Sequence, residues 1–294
     1  MRRAIILAHH DPDGIVDPHV VHALRAYRAL AARLVLVSTS VGRLPDDLAG
    51  TIDTFLPRAN VGYDFGSWQA GLRTLSPSGD FDAPGFDEVV CVNDSVYGPL
   101  FDATPMFADP RIADADLWGM VISRQPPRHG GTIPRPHLQS WFLAARQALL
   151  ASSCWSDFWS GVAPQPTKDD VISRYEVGLS EQVTAAGFRI AALYDAGREA
   201  HPGWRDVVAD LSPRRPCASW RLLRRVRRPF HNPAELLPRR LLAAGVPFAK
   251  VSLLRVNHYR LAPESIRAAI RAAAAGYDPD LVERHLSRIT RRDA

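Results

Sequence analysis

An apolar run, a helix-length amphipathic segment and a second apolar run open the chain, and that succession limits its fold more than any other feature. Ala4 to Ala8 is apolar at every position, as in a strand buried on both faces of a sheet. Pro18 to Arg33 carries Val20, Val21, Leu24, Tyr27 and Leu30 or Ala31 on one face at helical spacing, and Leu34 to Thr39 reads as a second strand. Such a βαβ start puts two parallel strands in one sheet, so the expected fold class is α/β with nucleotide-binding character and a central, mostly parallel sheet. Ile52 to Leu56 is a weaker third strand.

The stretch FDEVVCVNDSVYGPL, Phe86 to Leu100, supplies the centre of that sheet. Val89 to Val92 is an unbroken apolar run that ends in Asn93-Asp94-Ser95, and open α/β sheets place ligands at the carboxyl ends of their strands. Gly98-Pro99 then turns the chain, which predicts that Asp94 lies on an exposed loop mouth. Upstream, Asn60, Gly62 and Gly66 make a permissive turn before a helix carrying Trp68, Leu72 and Leu75, whose N-terminus offers N–H groups to an anion.

Beyond the central strand, Leu117 to Ser123 reads as a strand and Arg124 to Pro136 as a polar loop over a cleft. HLQSWFLAARQALLAS is expected to be an amphipathic helix with Leu138, Trp141, Phe142, Ala145 and Leu149 on its buried stripe. The segment beginning KDDVISRYEVGLSEQ is expected to be helical to Ala186, turned at Gly187 and followed by a strand from Phe188 to Leu193.

Composition excludes several classes. With 46% hydrophobic and 23% charged residues in 294, the chain has ample core for a globular α/β protein. The N-terminal apolar run is too short for a signal peptide or a membrane span, so a cytoplasmic protein is expected. Cys91, Cys154 and Cys217 are scattered and odd in number, which indicates neither a disulfide framework nor a cysteine zinc site. The expected division is a catalytic region over 1–199 and a helical, Arg-rich region over 200–294 packed on the same domain.

The blocks RANVGYDFGSW, DEVVCVNDSVYGPL, LWGMVIS, HLQSWF, YEVGLSEQVTAAGF and NPAELLPRRLLAAGVPFAKVSLLRVN resemble, in the same order, those of the rhamnan synthesis protein F family of bacterial polysaccharide glycosyltransferases. The resemblance runs from about His9 to Asn257. It implies a GT-A-like fold and a nucleoside-diphosphate sugar donor, dTDP-rhamnose or another deoxyhexose. It also implies a growing cell-surface or lipid-linked glycan as acceptor, and the likeness to GT-A enzymes leaves room for a divalent cation, Mg²⁺ or Mn²⁺.

On that resemblance, Asp94, flanked by Asn93 and Ser95, handles the diphosphate leaving group. GT-A enzymes commonly use a DxD triplet to hold the metal; NDS has one carboxylate, which leaves Asp94 either a metal ligand or a direct hydrogen-bond partner of the donor sugar. The plain alternative is a turn cap. Asp64 is expected to touch nucleotide or sugar, or to cap the following helix. Arg58, Asn60 and Gly62 border the same turn, and His9 and Asp11 follow the first strand, where they contact the nucleotide or simply form a polar loop. Glu176 is the expected general base, at what resembles an acidic helix start that keeps its carboxylate ionised; Asp169 and Asp170 are the substitutes. His137 and Gln139 are donor or acceptor contacts, or ordinary helix-start residues.

From Leu211 to Ala234 there is no acidic residue, while Arg214, Arg215, Arg221, Arg224, Arg225, Arg227 and Arg228 surround Trp220, Leu222, Leu223, Val226 and Phe230. Seven arginines exceed the net charge of +5, so the remainder is mildly acidic and the basicity is local. That stretch suits an anionic membrane surface at the inner face of the cell membrane, at roughly 1 kcal/mol per Arg; a solvated arginine face is the alternative. Two other functions compete. IILAHHDPDG also resembles the start of DHH phosphoesterases, without a later DHH triplet, and a basic adaptor for membrane or nucleic acid is conceivable without any nucleic-acid-binding signature.

Overall fold

The computed structural model describes residues 1–126, 135–199, 203–211 and 231–293. Eight strands form one sheet in the order β3-β2-β1-β4-β8-β6-β7, with β9 also paired to β6. These are β1 (Arg3–His9), β2 (Arg33–Ser38), β3 (Thr54–Pro57), β4 (Glu88–Asn93), β6 (Leu117–Ser123), β7 (His137–Leu138), β8 (Phe142–Arg146) and β9 (Ile190–Asp195). A separate two-stranded ladder pairs β5 (Val96–Tyr97) with β10 (Ala249–Lys250). β3, β2, β1 and β4 run parallel, as does β9 beside β6, whereas β8 is antiparallel to both β4 and β6. The fold is therefore mixed α/β around a mostly parallel sheet, and the βαβ start is present as read.

Strand alternation divides the core. Ile5, Leu7, Leu34, Leu36, Val90 and Val92 face one side; Ala4, Ile6, Ala8, Val35, Val37, Val89 and Cys91 face the other. The first side receives α1 (Pro18–Leu30) and, from the far end of the chain, Ile266 and Ile270 of α5 (Pro263–Ala273) with Leu281, Val282, Leu286 and Ile289 of α6 (Asp280–Asp293). The C-terminal region thus shares the core of the N-terminal strands. On the second side lie α2 (Tyr63–Arg73) and α3 (Ser153–Ser160). There too is α4, in which Lys168–Val171, Ile172–Val177 and Gly178–Ala185 run on as one helix with a π-helical middle.

Glycine decides how closely α2 approaches the sheet. A Cβ on Gly71 would lie 2.5 Å from Ile6 Cγ2 and 3.1 Å from Val37 Cγ2, so a side chain there would push the helix outward. The Trp68 indole N–H then reaches the carbonyl of Val92 (2.9 Å), tying α2 to the end of β4.

One element departs from expectation. HLQSWFLAARQALLAS is not a helix: it forms β7, β8 and a single helical turn, Gln147–Leu150. Phe142 and Ala144 point to the first core while Leu143 and Ala145 point to the second, because β8 is sandwiched between β4 and β6 with both faces covered. Burial on both faces makes nearly every position apolar, so a helical stripe can be traced through a strand whose residues alternate between two cores, and the Leu and Ala content favours helix only locally.

Candidate active site

Parallel register sets the site. Ala8 of β1 pairs with Asn93 of β4, so the residues that follow each strand emerge side by side. Asp94 Oδ2 accepts the backbone N–H of His10 (2.7 Å), and the side chain is half-buried rather than exposed on a loop mouth. Burial, with the neighbouring Asp64 and Asp11 charges and against the His10 hydrogen bond, pushes its carboxyl up to about 8.

Asp64 enters from the first turn of α2. Its Oδ2 accepts the side-chain amide of Asn93 (2.8 Å), while Asn93 Oδ1 takes both the backbone N–H (3.2 Å) and the hydroxyl (2.6 Å) of Ser95. Asp64 does not cap its helix: the N-cap is Gly62 at φ 83°, with no side-chain cap, and Tyr63 follows at φ 53°. Two successive left-handed residues let the chain turn sharply so that Asp64 meets β4. Burial raises the Asp64 carboxyl, opposed by the Asn93 bond and the Lys168 and His10 charges.

Antiparallel β8 brings the third component. Val92 pairs with Phe142, and the Asn93 N–H points to the Trp141 carbonyl (3.4 Å), so Gln139 and Ser140 lie beside the end of β4. Ser140 donates its backbone N–H (2.8 Å) and its hydroxyl to Glu176 Oε2, and His137 Nε2 lies 3.6 Å from Glu176 Oε1. Glu176 is not at a helix start. It sits in the π segment of a continuous helix, with no helix terminus beside it, and Ser140 is the donor its carboxylate meets. The acidic helix start is at Asp169 and Asp170, where Asp170 exchanges bonds with Thr167: its Oδ2 accepts the Thr167 hydroxyl (2.6 Å) and its N–H donates back (3.2 Å).

Besides Ser140, two lysines were missed by sequence reasoning. The only lysines in the chain, against 34 arginines, are Lys168 and Lys250, and both fall at this cleft. Lys250 pairs with Val96, two residues past Asp94, through the β10–β5 ladder. Burial pushes its ammonium down, opposed by the charges of Glu176, Glu235 and Asp64. Their rarity in an arginine-rich chain was the signal available.

The remaining candidates have internal partners. His9 is buried with Nδ1 2.9 Å from the Ser38 hydroxyl, and burial holds its imidazole at about 4. Asp11 and Asp13 are paired with Arg288 of α6, which leaves them poorly placed for the two-metal site of a phosphoesterase. Arg58 donates to Ser67 Oγ (3.1 Å) and the Val61 carbonyl (2.6 Å), bracing the turn, and Asn60 is exposed. Gln139 bridges Asn232 Oδ1 (2.7 Å) and the Trp141 indole N–H (2.9 Å), and His137 Nδ1 lies 2.6 Å from the Arg135 carbonyl; neither residue begins a helix. An open depression of about 330 Å³, lined by Thr39, Ser40, Gly42, Pro57 and Arg58, lies at the ends of β2 and β3. Most of the expected cleft loop and the whole run Arg214 to Arg228 lie outside the described residues.

Among curated proteins the chain is 26% identical over 147 residues to the uncharacterized protein y4gN of Sinorhizobium fredii, covering 47% of this chain and 34% of that one. It is 26% identical over 217 residues to virulence protein VirA of Vibrio anguillarum, covering 73% and 66%. The chain therefore spans about a third of the first relative's length and just under two thirds of the second's. Similar solved structures include a mannosyltransferase of Pyrobaculum calidifontis in complex with GDP-Man and Mn²⁺ (15% identity, 98% of this chain and 79% of that one, TM-score 0.38). Another is S. aureus TarS 1–349 (11% identity, 93% and 90%, TM-score 0.38). Overlaps at that level carry no argument about what this chain binds. Residues 35–209, more than half of the chain, match the family described as rhamnan synthesis protein F, and the chain belongs to that family.

Proposed function

We propose that the chain is a glycosyltransferase that moves a sugar from a nucleoside-diphosphate donor to a glycan. The observation that carries this reading is the convergence of Asp94, Asn93, Asp64 and Glu176 at the carboxyl end of β4, joined by the Asn93–Asp64 and Ser140–Glu176 contacts. Transfer from a nucleotide sugar needs a group facing the leaving diphosphate and a base for the acceptor hydroxyl. Asp94 and Asp64 take the first position and Glu176 the second.

The residues present fit a divalent cation. Mg²⁺ and Mn²⁺ use hard oxygen ligands, and one or two carboxylates suffice where substrate phosphates complete the shell. One oxygen each of Asp94 and Asp64 is engaged, by His10 N–H and by Asn93, so these two residues would hold the ion. Bound there, it would neutralise charge on the diphosphate. Lys250 brings its amine, which feels the charges of Glu176 and Asp64, to the same wall. Ser140 orients Glu176 with two donors on Oε2, which leaves Oε1 to take the acceptor proton.

Family membership favours dTDP-rhamnose or another deoxyhexose as donor and a lipid-linked or cell-surface glycan as acceptor. The arginine run from Arg214 favours a peripheral position at an anionic membrane, and none of the described helices is long and apolar enough to cross one. Calorimetric titration with a panel of nucleoside diphosphates and nucleotide sugars tests the reading. A bound diphosphate whose affinity falls about 10- to 100-fold in Lys250→Met, the range for a lost charge-assisted bond, supports it. No binding across the panel, with or without Mn²⁺, overturns it.

A further inference from the structure

The scarcity of acid does not stop at the end of the arginine run. Between Asp210 and Glu264 the only acidic residue is Glu235, against eleven arginines and Lys250. The backbone closes this stretch on itself: the Ala262 N–H donates to the Asp210 carbonyl (2.8 Å), so the two ends of the stretch meet. Glu235 is half-buried, and its Oε1 accepts the Ser252 hydroxyl (2.9 Å).

The last part of the stretch is tied to the cleft. Val251 donates its N–H to the carbonyl of Ser95, next to Asp94 (2.9 Å), and a helical turn, Ser252–Arg255, follows. Residues 256–260 then form a loop that Asn257 clamps: its Nδ2 donates to the Leu261 carbonyl and its Oδ1 accepts the Leu261 N–H, both at 2.8 Å. Asn257 and Arg260 are left-handed, at φ 50° and 56°, a conformation that a long side chain such as arginine rarely adopts unless its surroundings impose it. The loop so held leaves Arg255, Val256, His258 and Arg260 exposed, and Val256 is 54% accessible. The Tyr259 hydroxyl accepts the N–H of Asn232 (2.9 Å), four residues after Arg228, and Asn232 Oδ1 accepts the Gln139 amide (2.7 Å) beside Ser140. Loop and cleft wall therefore meet at Asn232.

An exposed apolar side chain flanked by cations suits the surface of an anionic bilayer, where the cations meet headgroup phosphates and the apolar tip enters the interface. A soluble polyanion would use the cations and leave Val256 without a role. We propose that the loop over residues 255–260 is a membrane-contact element that docks on anionic phospholipid and sets the mouth of the β4 cleft against the bilayer. This rests on the peripheral position proposed above, and it holds whichever sugar is transferred.

Sedimentation of the full chain with phosphatidylserine–phosphatidylcholine vesicles tests the proposal. Arg255→Ser combined with Arg260→Ser should weaken binding about fivefold for each charge removed, and Val256→Asp should weaken it at least as much. Arg255→Lys combined with Arg260→Lys should keep binding near wild type, with native circular dichroism in every variant. Binding by wild type and equal binding by the serine and aspartate variants would overturn the loop's role and leave the peripheral position standing, whereas no binding by wild type would overturn both. Unchanged binding in Val256→Asp beside a loss in the serine variant would make the loop a reader of phosphate alone. Stronger retention on an RNA homopolymer than on vesicles of equal phosphate content would put nucleic acid in place of the bilayer. Either of these two results contradicts the proposal.

Discussion

His9 ends β1 with its ring buried and its pKa depressed to about 4, chiefly by burial. The unfolded chain takes up that proton near the ordinary value of 6.5, before the folded chain does. The stability is therefore fully present above about 6.5 and is lost as pH falls towards 4, because the unfolded state binds more protons across that window. A shift of this size corresponds to at most about 3 kcal/mol. Urea titrations of wild type and His9→Gln should show a smaller loss of stability between pH 6.5 and 4 in the variant; parallel losses would mean that His9 is not the group responsible. Its place after the first strand pointed to His9 as a nucleotide contact or as part of a polar loop. Its partner Ser38, on a strand that follows a whole helix, is visible only once the two strands pair.

At the scale of elements, α2 is placed by what it lacks. Alanine is the better helix former by about 1 kcal/mol, so Gly71→Ala would stabilise α2 in isolation. Here the added methyl meets Ile6 Cγ2 at 2.5 Å, on a β-branched strand residue with little room to rotate. Overpacking of about 1–3 kcal/mol should outweigh the helix gain, lowering the denaturation midpoint; an unchanged or raised midpoint would show that the sheet yields. The parallel half of the sheet was legible because β1, β2 and β4 are continuous apolar runs broken by polar triplets and a helical period. Antiparallel β8 was not, since apolar residues at nearly every position let a helical stripe be traced through it, and the pairing that sets Gln139 and Ser140 beside the end of β4 was not visible. Glu176 was singled out by its sequence block, but the helix start expected for it is not there: it lies within a continuous helix, and Ser140, unremarkable in sequence, supplies two donors to its Oε2.

For the molecule as a whole, a core shared between the first strands and α6 makes the C-terminal region part of the same body as the β4 cleft. In sequence, the arginine run between Leu211 and Ala234 belongs to that same C-terminal region, and on the proposed function it would serve to reach a lipid-held acceptor. Replacing Arg221, Arg224, Arg225 and Arg228 with Ser should abolish most sedimentation with anionic vesicles, and wild-type binding should fall steeply with salt. Equal sedimentation of both proteins would remove the run from the account.

The central claim is that the end of β4 transfers a sugar with Glu176 as base, and turnover tests it most directly. Nucleoside-diphosphate release should be followed with a nucleotide-sugar panel, an acceptor glycan and Mn²⁺, for wild type, Asp94→Asn and Glu176→Gln. Wild type should turn over at least one donor. Asp94→Asn should be nearly inactive, and Glu176→Gln should lose about 10²- to 10⁴-fold in kcat while its donor affinity stays within about twofold, the mark of lost proton transfer rather than lost binding. Release by wild type that Glu176→Gln retains above about a tenth, less than the smallest general-base effect, would contradict the account.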